Sequence, residues 1–526
     1  MPRWETPRTG AYNAAVDLMA RNLSVRPGKI ACIDTTGRHT YADLAERAER
    51  AASALRAIGL QPGDRVAMCL LDGVDFIAVF LGALRAGVVP IALNTLLTAD
   101  DYAFILGDSG AGAVVASDAL LPQVREAIRR SQWRGELVIS GAPDDGPGRS
   151  LAALAGDQAR LAAHPTQADD VAFWLYSSGS TGRPKGVPHL HSSLMLTAEL
   201  FARNTLGLRA SDVIFSAAKL FFAYGLGNAL TFPMAVGATS VLHPGRATPE
   251  AVARLLDEHE VTIFCGAPTL FAAMLASPHM PRRGAHSLRL CVSAGEALPA
   301  DIGHAWTEHT GVEIIDGIGS TEMLHIFVSN RPGSVKYGST GRPVEGYEVK
   351  VIDDAGRSVA PGETGELHVR GPTMATAYWN QPEKTAAAFV DGWMRTGDKF
   401  QVHEDGSLSH RGRADDMLKV GGVWVSPVEV ENALLGHEAV LEAAVIGVTD
   451  EAGLVKSKAF VVTKPGVAPD GALAAALKDF TKARLAPYKY PREIDFLTEL
   501  PKTATGKIRR HALREQETAR RAAGGA

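Results

Sequence analysis

The stretch VAFWLYSSGSTGRPKG, residues 171–186, joins an apolar run to a loop rich in Gly, Ser and Thr. The run VAFWLY predicts a buried strand, and the loop would leave the sheet at the edge where α/β proteins bind ligands. Glycine permits close backbone approach, hydroxyl groups donate hydrogen bonds, and Lys185 adds a positive charge. The loop therefore predicts a phosphate site, with a flexible surface loop as the plainer alternative.

The spacing of this loop differs from that of the P-loop, in which four residues separate the first Gly from an adjacent Gly-Lys pair. Here Gly179 and Gly182 stand closer together, and Pro184 precedes Lys185. The loop suits a phosphate group that moves or leaves, without a fixed helix end to hold it.

Strands and helices alternate on the N-terminal side of the loop. ADLAERAERAASALRAIGL (42–60) carries an apolar stripe at helical spacing, and DFIAVFLGALRAG (75–87) is an apolar helix. The strand-like runs DRVAMCLL (64–71) and VVPIAL (88–93) flank the second helix. This alternation predicts an α/β fold whose large N-terminal domain has mainly parallel sheets covered by helices. Residues 141–169, rich in Gly, Asp, Ala and Pro, are predicted to form a surface connection.

The pattern changes twice in the second half of the chain. Between residues 345 and 410, short strands and Gly turns predict a β-rich subdomain. After Arg413, renewed alternation predicts a small α+β domain. Its strands and helix are expected at AVLEAAVIGV (439–448), KAFVVTK (458–464), ALAAALKDFTKARL (472–485) and EIDFLTEL (493–500). The terminal stretch REQETARRAAGGA (514–526) is expected to fray.

Composition narrows the class of protein. A chain of 526 residues is longer than a domain with a single hydrophobic core, so at least two domains are expected. The chain is 46% hydrophobic with a net charge of −4, which is typical of a soluble protein and indicates no nucleic acid and no membrane as partner. Scattered Cys32, Cys69, Cys265 and Cys291 favour reduced thiols of a cytoplasmic protein over disulfides or a metal site. The N-terminus lacks the apolar stretch of a signal peptide, and the longest apolar run, 76–84, is too short to cross a bilayer.

Five more stretches follow in the order SAGEALP (293–299), DGIGSTEM (316–323), RTGDKF (395–400), RGRADDMLKVGG (411–422) and PKTATGK (501–507). Together with the Gly/Ser loop they resemble the motifs of the adenylate-forming enzymes: acyl-CoA synthetases, adenylation domains of peptide synthetases and luciferases. The resemblance covers nearly the whole chain. It implies an N-terminal AMP-binding domain over residues 1–414 and a mobile C-terminal domain over residues 415–526, with a hinge at Asp415.

In that family a substrate carboxylate attacks the α-phosphate of ATP, and the thiol of coenzyme A captures the resulting acyl-adenylate. The resemblance implies ATP, Mg²⁺ and coenzyme A as cofactors, with the Gly/Ser loop holding the phosphates that depart. A carboxylate approaching a triphosphate is repelled, so cations must offset charge in the transition state. The residues assigned to ATP and AMP are Ser177, Ser178, Gly179, Ser180, Thr181, Gly182, Lys185, Gly295, Glu296, Ala297, Asp316, Gly317, Ile318, Gly319, Ser320, Thr321, Asp398, Arg413 and Lys507.

The resemblance assigns three residues to catalysis. Lys507 would bridge the carboxylate and the α-phosphate, whereas a lone lysine is otherwise a solvated surface charge. Asp415 would be the hinge of a swing that withdraws Lys507 before the thiol of coenzyme A arrives. Lys419 matches a lysine that some relatives bring into the site in the second orientation.

The resemblance also assigns a metal carboxylate and a ribose pair. Glu322 matches the magnesium ligand, with the Thr181 hydroxyl nearby, and the alternative is a carboxylate that caps a helix starting at STEM. Asp398 and Arg413 match the pair that grips the ribose hydroxyls, and the alternative is a surface salt bridge. Ile318 stands where the family usually has an aromatic residue, so no ring is expected to stack on the adenine there.

The acid site is expected between AAKLFFAYGLGN (217–228) and GIGSTEMLHIF (317–327), which closely resemble stretches of benzoate–CoA ligases and their hydroxybenzoate relatives. Ala and Gly would leave a slot, and Tyr and Ile would supply apolar walls for an aromatic ring. Core packing is the alternative for residues 217–228, and a satisfied buried histidine is the alternative for position 325. The residues expected to line this site are Ala223, Tyr224, Gly319, His325 and Ile326.

The resemblance thus implies a ligase that joins an aromatic acid, in the first place benzoate, to coenzyme A. The alternative substrates are 4-hydroxybenzoate and other substituted benzoates. A carrier-loading enzyme would share the ATP motifs, but no carrier domain follows them in this sequence, so free coenzyme A is the expected acceptor. A luciferase-like oxygenase is disfavoured by the small pocket, and a non-catalytic nucleotide sensor by the intact motif residues.

The expected partners are small molecules: an aromatic acid, ATP and coenzyme A. The stretch PKTATGK also resembles the context of the lysine that is acetylated in bacterial acyl-CoA synthetases, which implies a lysine acetyltransferase acting on Lys507. A homodimer is left open.

Overall fold

The structure, a computed structural model, describes residues 6–142, 146–156, 161–177, 183–414, 416–420, 423–449, 455–486, 488–502 and 508–524. The residues singled out above that lie outside these ranges are Ser178, Gly179, Ser180, Thr181, Gly182, Asp415 and Lys507. Lys419 is described by its backbone alone.

The strands, in chain order, are β1 Ile30–Asp34, β2 Gly37–Thr40, β3 Arg65–Cys69, β4 Val89–Ala92, β5 Ala113–Ser117, β6 Glu136–Ser140, β7 Arg149–Ser150, β8 Val171–Ser177, β9 Lys185–Leu190, β10 Val213–Ser216, β11 Thr239–Val241, β12 Ile263–Gly266, β13 Leu290–Ser293, β14 Ile314–Gly319, β15 Ile326–Ser329, β16 Arg342–Pro343, β17 Glu348–Ile352, β18 Thr364–Arg370, β19 Phe389–Val390, β20 Trp393–Val402, β21 Leu408–Arg413, β22 Leu418–Val420, β23 Val423–Val425, β24 Val440–Thr449, β25 Val455–Thr463 and β26 Glu493–Phe496.

The α-helices are α1 Ala14–Leu23, α2 Tyr41–Ala57, α3 Val74–Ala86, α4 Ala99–Ser109, α5 Leu121–Arg130, α6 Leu151–Gly156, α7 His191–Thr197, α8 Ala223–Leu226, α9 Phe232–Val236, α10 Pro249–Glu258, α11 Pro268–Leu275, α12 Ala300–Thr310, α13 Pro382–Ala388, α14 Pro427–Leu435, α15 Gly471–Lys482 and α16 Arg510–Gly524. Among the described residues, none of the helices combines the length and the apolar character needed to span a bilayer.

Two large sheets carry the N-terminal part of the fold. In the described residues, one has the strand order β7-β6-β5-β3-β4-β8-β9 and the other the order β16-β15-β14-β13-β12-β10-β11-β1-β2. The central strands of both sheets pair in parallel, and the antiparallel pairs lie at the sheet edges. Helices cover the sheets, so the predicted α/β class with mainly parallel sheets is confirmed.

The strand that precedes the Gly/Ser loop is buried as predicted. Phe173 in β8 packs edge-on against Phe80 of α3 with ring centroids 5.4 Å apart, and both rings are fully buried. Burying each such ring contributes about 2–3 kcal/mol, which anchors the strand beneath the site. The loop returns to the antiparallel strand β9, whose first residue, Lys185, pairs with Ser177. A strand and not a helix therefore follows the loop.

Two smaller β units follow the large sheets. The predicted β-rich subdomain is the antiparallel arrangement β17-β18-β20-β19, to which β21 adds by pairing with β20. The C-terminal part contains the hairpin β22-β23 and the sheet β24-β25-β26, covered by α14, α15 and α16. The predicted small α+β unit is therefore present.

The prediction that residues 141–169 form only a surface connection was wrong in one part. This segment contains α6, which packs on α2. Leu151 and Leu154 are three residues apart, so they share one face of the helix and are buried in the main core.

The prediction that residues 514–526 fray was also wrong, because α16 continues to Gly524. Leu513 and Glu517 are four residues apart on one helix face, and both are buried. Glu517 accepts a hydrogen bond at 2.9 Å from Lys458, a lysine of β25 with no exposed surface. Lys458 also lies 2.7 Å from Asp495 of β26. A polar helix end thus docks through a buried ion network that connects residues far apart in the chain.

This network predicts a pH-dependent stability. Burial by itself would raise the pKa of Glu517, but hydrogen bonds from Arg520, Arg521 and Lys458 outweigh burial and lower that pKa to about 2. Because the folded pKa lies below the usual value, the ionised carboxylate stabilises the fold above pH 4.5 and loses this effect as the pH falls towards 2. Glu517→Gln is expected to reduce the free energy of unfolding by about 2 kcal/mol at pH 7, measured by urea denaturation.

The matched control is Glu515→Gln, which changes an exposed glutamate of the same helix. The difference between the wild-type protein and Glu517→Gln is expected to shrink between pH 4.5 and pH 3. Equal unfolding free energies for the two variants at pH 7 would contradict the prediction.

Candidate active site

A cavity of about 840 Å³ lies where the ends of the strands in both large sheets face the C-terminal elements. Loops after the neighbouring parallel strands β13 and β14 meet there, as they do at the carboxyl edge of an open sheet. The described residues predicted to bind the nucleotide or metal all line it: Ser177, Lys185, Gly295, Glu296, Ala297, Asp316, Gly317, Ile318, Gly319, Ser320, Thr321, Glu322, Asp398 and Arg413.

Glu322 and Lys185 face each other in this cavity. Glu322 lies in the turn between β14 and β15, and its Oε1 accepts a hydrogen bond at 2.8 Å from the hydroxyl of Tyr378. The Lys185 Nζ is 3.9 Å from the same oxygen. Burial lowers the pKa of Lys185, and Glu322 acts in the opposite direction. The described residues 320–325 form no helix, so the alternative that Glu322 caps one is wrong.

The donor set around Glu322 fits magnesium that arrives with a nucleotide. Mg²⁺ in phosphate-transfer sites binds one or two carboxylates together with phosphate oxygens and waters. One cavity-facing carboxylate beside a lysine matches that requirement. Among the described residues there is no cluster of three or more His, Cys, Asp or Glu that would form a dedicated metal cage.

Asp398 and Arg413 lie opposite each other on the paired strands β20 and β21. Arg413 Nη1 is 3.5 Å from Asp398 Oδ1 and donates a hydrogen bond to the carbonyl of Thr396 at 3.1 Å. Gly397 has a φ of +70°, a backbone conformation that favours glycine. Asp398 and Arg413 form an ion pair, and both line the cavity. His410 Nε2 lies 3.4 Å from the same carboxylate oxygen, a neighbour that the sequence did not reveal.

Asp316 lines the cavity and is 4% exposed. Burial raises its pKa well above the usual value, and hydrogen bonds from the backbone of Leu298 and from Ser293 act in the opposite direction.

The residues predicted for the acid site cluster together behind this cavity. Gly319 lines the cavity, and a Cβ there would come within 2.6 Å of the carbonyl of His325. Ala223, His325 and Ile326 are buried, and the hydroxyl of Tyr224 donates to the carbonyl of Val292 at 2.9 Å. In the part of the chain that the structure describes, Gly319 is the only one of these five acid-site residues that lines the cavity.

His325 is buried, which both interpretations of this residue expect. Its ring lies among those of Phe201, Tyr224 and Phe232, with centroids 5.2, 5.6 and 4.5 Å away. Burial lowers the pKa of His325 to about 3, so the ring is neutral.

Residues that follow the predicted catalytic lysine in the sequence reach the cavity. The amide of Ile508 donates to Glu296 Oε1 at 2.9 Å, and Ile508 lines the cavity. Lys502 and Ile508 form an antiparallel bridge at the two ends of the segment that contains Lys507. Arg510, which makes a hydrogen bond of 2.6 Å to Glu431, extends the lining. Lys419 lies in β22.

Sequence reasoning missed Tyr378, which contacts Glu322, and Phe222, which lines the cavity next to the acid-site cluster. Phe222 lies within the stretch already singled out for the acid. Tyr378 carried no such signal, since the order of residues alone does not reveal a contact between positions 322 and 378.

Comparison with known proteins agrees with this geometry. Residues 19–379 match the AMP-binding enzyme family, and residues 429–507 match the AMP-binding enzyme C-terminal domain. The chain therefore belongs to the AMP-binding enzymes, and the resemblance to adenylate-forming enzymes is confirmed.

Within that family the chain is similar to ligases of benzoate. It is 55% identical to the benzoate–CoA ligase of Thauera aromatica, covering 96% of each chain. It is 48% identical to the 4-hydroxybenzoate–CoA/benzoate–CoA ligase of Rhodopseudomonas palustris, covering 96% of this chain and 94% of that one. The solved structure of a benzoate CoA ligase from Burkholderia xenovorans LB400 is 52% identical with a TM-score of 0.90, covering 96% of this chain and 100% of that one.

Proposed function

We propose that this protein joins benzoate to coenzyme A in an ATP-dependent reaction that passes through benzoyl-adenylate and releases AMP and pyrophosphate. The observation that carries this proposal is the 55% identity to a benzoate–CoA ligase along 96% of the chain. The cavity supports it by gathering a lysine, a carboxylate and an Asp–Arg pair at one place. ATP, Mg²⁺ and coenzyme A are the cofactors of this reaction.

In the first half-reaction the residues of the cavity hold ATP by its parts. Asp398 and Arg413 bind the ribose hydroxyls, because a carboxylate accepts from vicinal hydroxyls and the arginine holds it in place. Lys185, with the Gly/Ser loop, binds the β- and γ-phosphates that depart. Magnesium held by Glu322 would offset phosphate charge when bound. Lys507 brings a further positive charge to the carboxylate and the α-phosphate.

In the second half-reaction the C-terminal part swings about Asp415, and Lys507 leaves the site. The thiol of coenzyme A then reaches the carbonyl carbon of the adenylate. The contact of Ile508 with Glu296 supports the adenylating orientation as the one described here. Lys419 and the two glycines that follow β22 would approach the site in the other orientation.

The acid is tested by measuring AMP release with coenzyme A over a panel of benzoate, hydroxy-, amino- and fluorobenzoates, cinnamate and short fatty acids. Benzoate is expected to exceed short fatty acids by about a hundredfold in kcat/KM, because the proposed acid site would discriminate between acids by their shape. Turnover with free coenzyme A would exclude a carrier-loading enzyme. Absence of AMP release with every aromatic acid would refute the proposal.

A second substrate is favoured by one observation. The relative of R. palustris at 48% identity is named for both 4-hydroxybenzoate and benzoate. The hydroxybenzoates in the panel test this candidate directly.

We further propose a cytoplasmic enzyme that is a substrate of a lysine acetyltransferase at Lys507. Acetylation removes the charge of the lysine, so it would silence the first half-reaction.

A further inference from the structure

The segment of residues 373–379, which follows β18 and is named the strap here, ties the two halves of the phosphate site together. On one side, Thr373 Oγ1 donates to the carbonyl of Met323 and the amide of Ala375 donates to the carbonyl of Glu322, both at 2.7 Å. On the other side, the amide of Trp379 donates to the carbonyl of Gly186 at 2.9 Å. The strap therefore joins the turn that bears Glu322 to the first residues of β9.

The strap is anchored in the core at both ends. Trp379 Nε1 donates to the carbonyl of Asp108 in α4 at 2.9 Å, and its ring lies 4.5 Å from that of Trp174 in β8. At the other end, the hydroxyls of Tyr347 and Thr373 form a buried hydrogen bond of 2.8 Å. These contacts fix the position of the strap relative to both large sheets.

Tyr378 is the strap residue that touches both charged groups of the site. It is 6% exposed, and its hydroxyl donates to Glu322 Oε1 at 2.8 Å. The Lys185 Nζ lies 4.0 Å from the centroid of the same ring, within the range of a cation–π contact. The direct distance from Lys185 to Glu322 is 3.9 Å, too long for a hydrogen bond.

The chemistry of Tyr378 suits a fixed donor. A tyrosine hydroxyl carries its proton at neutral pH, so it donates to the carboxylate of Glu322. Because Glu322 accepts a hydrogen bond from this hydroxyl, one of its carboxylate oxygens already has a partner. The orientation of the carboxylate is therefore set before any ligand binds. A lysine resting on the ring is likewise placed without being bound tightly to the carboxylate.

We propose that Tyr378 is a positioning residue for the first half-reaction: its hydroxyl orients Glu322 for the magnesium ion that accompanies ATP, and its ring seats Lys185 for the departing pyrophosphate. The inference rests on the proposed function, because it takes Glu322 as the magnesium carboxylate. Such preorganisation lowers the cost of ordering side chains when the nucleotide binds.

The test compares Tyr378→Phe with Tyr347→Phe. Each variant removes one buried hydroxyl. The Tyr378 hydroxyl belongs to the strap and bonds to Glu322, whereas the Tyr347 hydroxyl lies outside the strap and bonds to Thr373 within it. Only Tyr378→Phe therefore loses a contact with Glu322. For Tyr378→Phe, the magnesium concentration for half-maximal benzoate-dependent ATP–pyrophosphate exchange is expected to rise about tenfold, with the rate at saturating magnesium near that of the wild type. For Tyr347→Phe it is expected to be unchanged.

A binding measurement without turnover gives a second readout. Calorimetric titration with ATP is run in magnesium and again in EDTA. In magnesium, Tyr378→Phe is expected to bind ATP about tenfold more weakly than the wild type does. In EDTA, the two proteins are expected to bind ATP with equal affinity.

Tyr378→Leu removes the ring as well. It is expected to raise the KM for pyrophosphate in the reverse reaction with benzoyl-adenylate about fivefold above that of Tyr378→Phe, because the seat of Lys185 is lost. Equal KM values in the two variants would overturn the role of the ring.

An unchanged magnesium requirement in Tyr378→Phe, or equal rises in Tyr378→Phe and Tyr347→Phe, would overturn the role of the hydroxyl. A wild-type protein without benzoate-dependent exchange would refute the proposed function instead. In that case the ATP titrations in magnesium and EDTA still decide the inference.

Discussion

Lys507→Ala is expected to lower benzoate-dependent ATP–pyrophosphate exchange by about a thousandfold, because the variant removes the positive charge that we propose offsets the charge of the reacting oxygens. The conversion of supplied benzoyl-adenylate and coenzyme A into the thioester is expected to continue, since that step has no triphosphate to neutralise. The two half-reactions are measured separately, by exchange of labelled pyrophosphate and by formation of benzoyl-CoA.

The structure supports this prediction through the residue that follows. The amide of Ile508 is held at 2.9 Å by Glu296 at the cavity wall. The matched control is Lys502→Ala at the other end of the same bridge, where the lysine pairs with Glu442 at 2.6 Å. This variant is expected to keep exchange within about twofold of the wild type, because Lys502 is not among the described residues that line the cavity. Protein acetylated at Lys507 is expected to behave as Lys507→Ala does.

Near-normal exchange by Lys507→Ala would contradict the assignment of the lysine. If Lys507→Ala lost both half-reactions to the same degree, the assignment of Lys507 to the first half-reaction alone would be contradicted.

Asp398→Ala is expected to raise the KM for ATP about thirtyfold, because hydrogen bonds from the ribose hydroxyls to a charged group are lost. The discriminating measurement compares ATP with 2′,3′-dideoxy-ATP. The wild type is expected to prefer ATP strongly, whereas Asp398→Ala is expected to treat the two nucleotides alike.

The control is Asp405→Ala, which removes an exposed aspartate of the same subdomain paired with Lys336 at 3.0 Å. Its preference for ATP over the dideoxy analogue is expected to equal that of the wild type. If Asp398→Ala retained that preference, the ribose contact would lie elsewhere.

Much of the fold was predictable from local pattern. The apolar run before the Gly/Ser loop is strand β8, and the apolar segment in residues 75–87 is the buried helix α3. Period and composition sufficed there, because a segment apolar on every face has no stable place except the core. The β-rich texture after residue 345 also became antiparallel sheet.

The terminal helix shows where local pattern fails. Its sequence is polar and charged, so nothing nearby predicts docking. The helix is held by Glu517, whose partner Lys458 lies 59 residues away in the chain. A buried ion network of this kind depends on which strands are neighbours, and composition does not contain that information.

The candidate site divides in the same way. The motif residues 177, 185, 295–297, 316–322, 398 and 413 could be named in advance because each motif is a short run with its own chemistry, and the structure places all of them in one cavity lining. The roles of these residues, the hinge at Asp415 and the domain boundary there stay predictions.

By itself the sequence determined the class of enzyme and the alternation of strands and helices, and it named the motif residues that line the cavity, since these depend on short motifs and on periodicity. Only the tertiary structure decided which residues hold the motifs in place: Tyr378 on Glu322, and Glu296 on the amide of Ile508, 212 residues away. The physical reason is that a hydrogen bond acts over about 3 Å, so its partner is set by how the chain packs and not by its order along the chain.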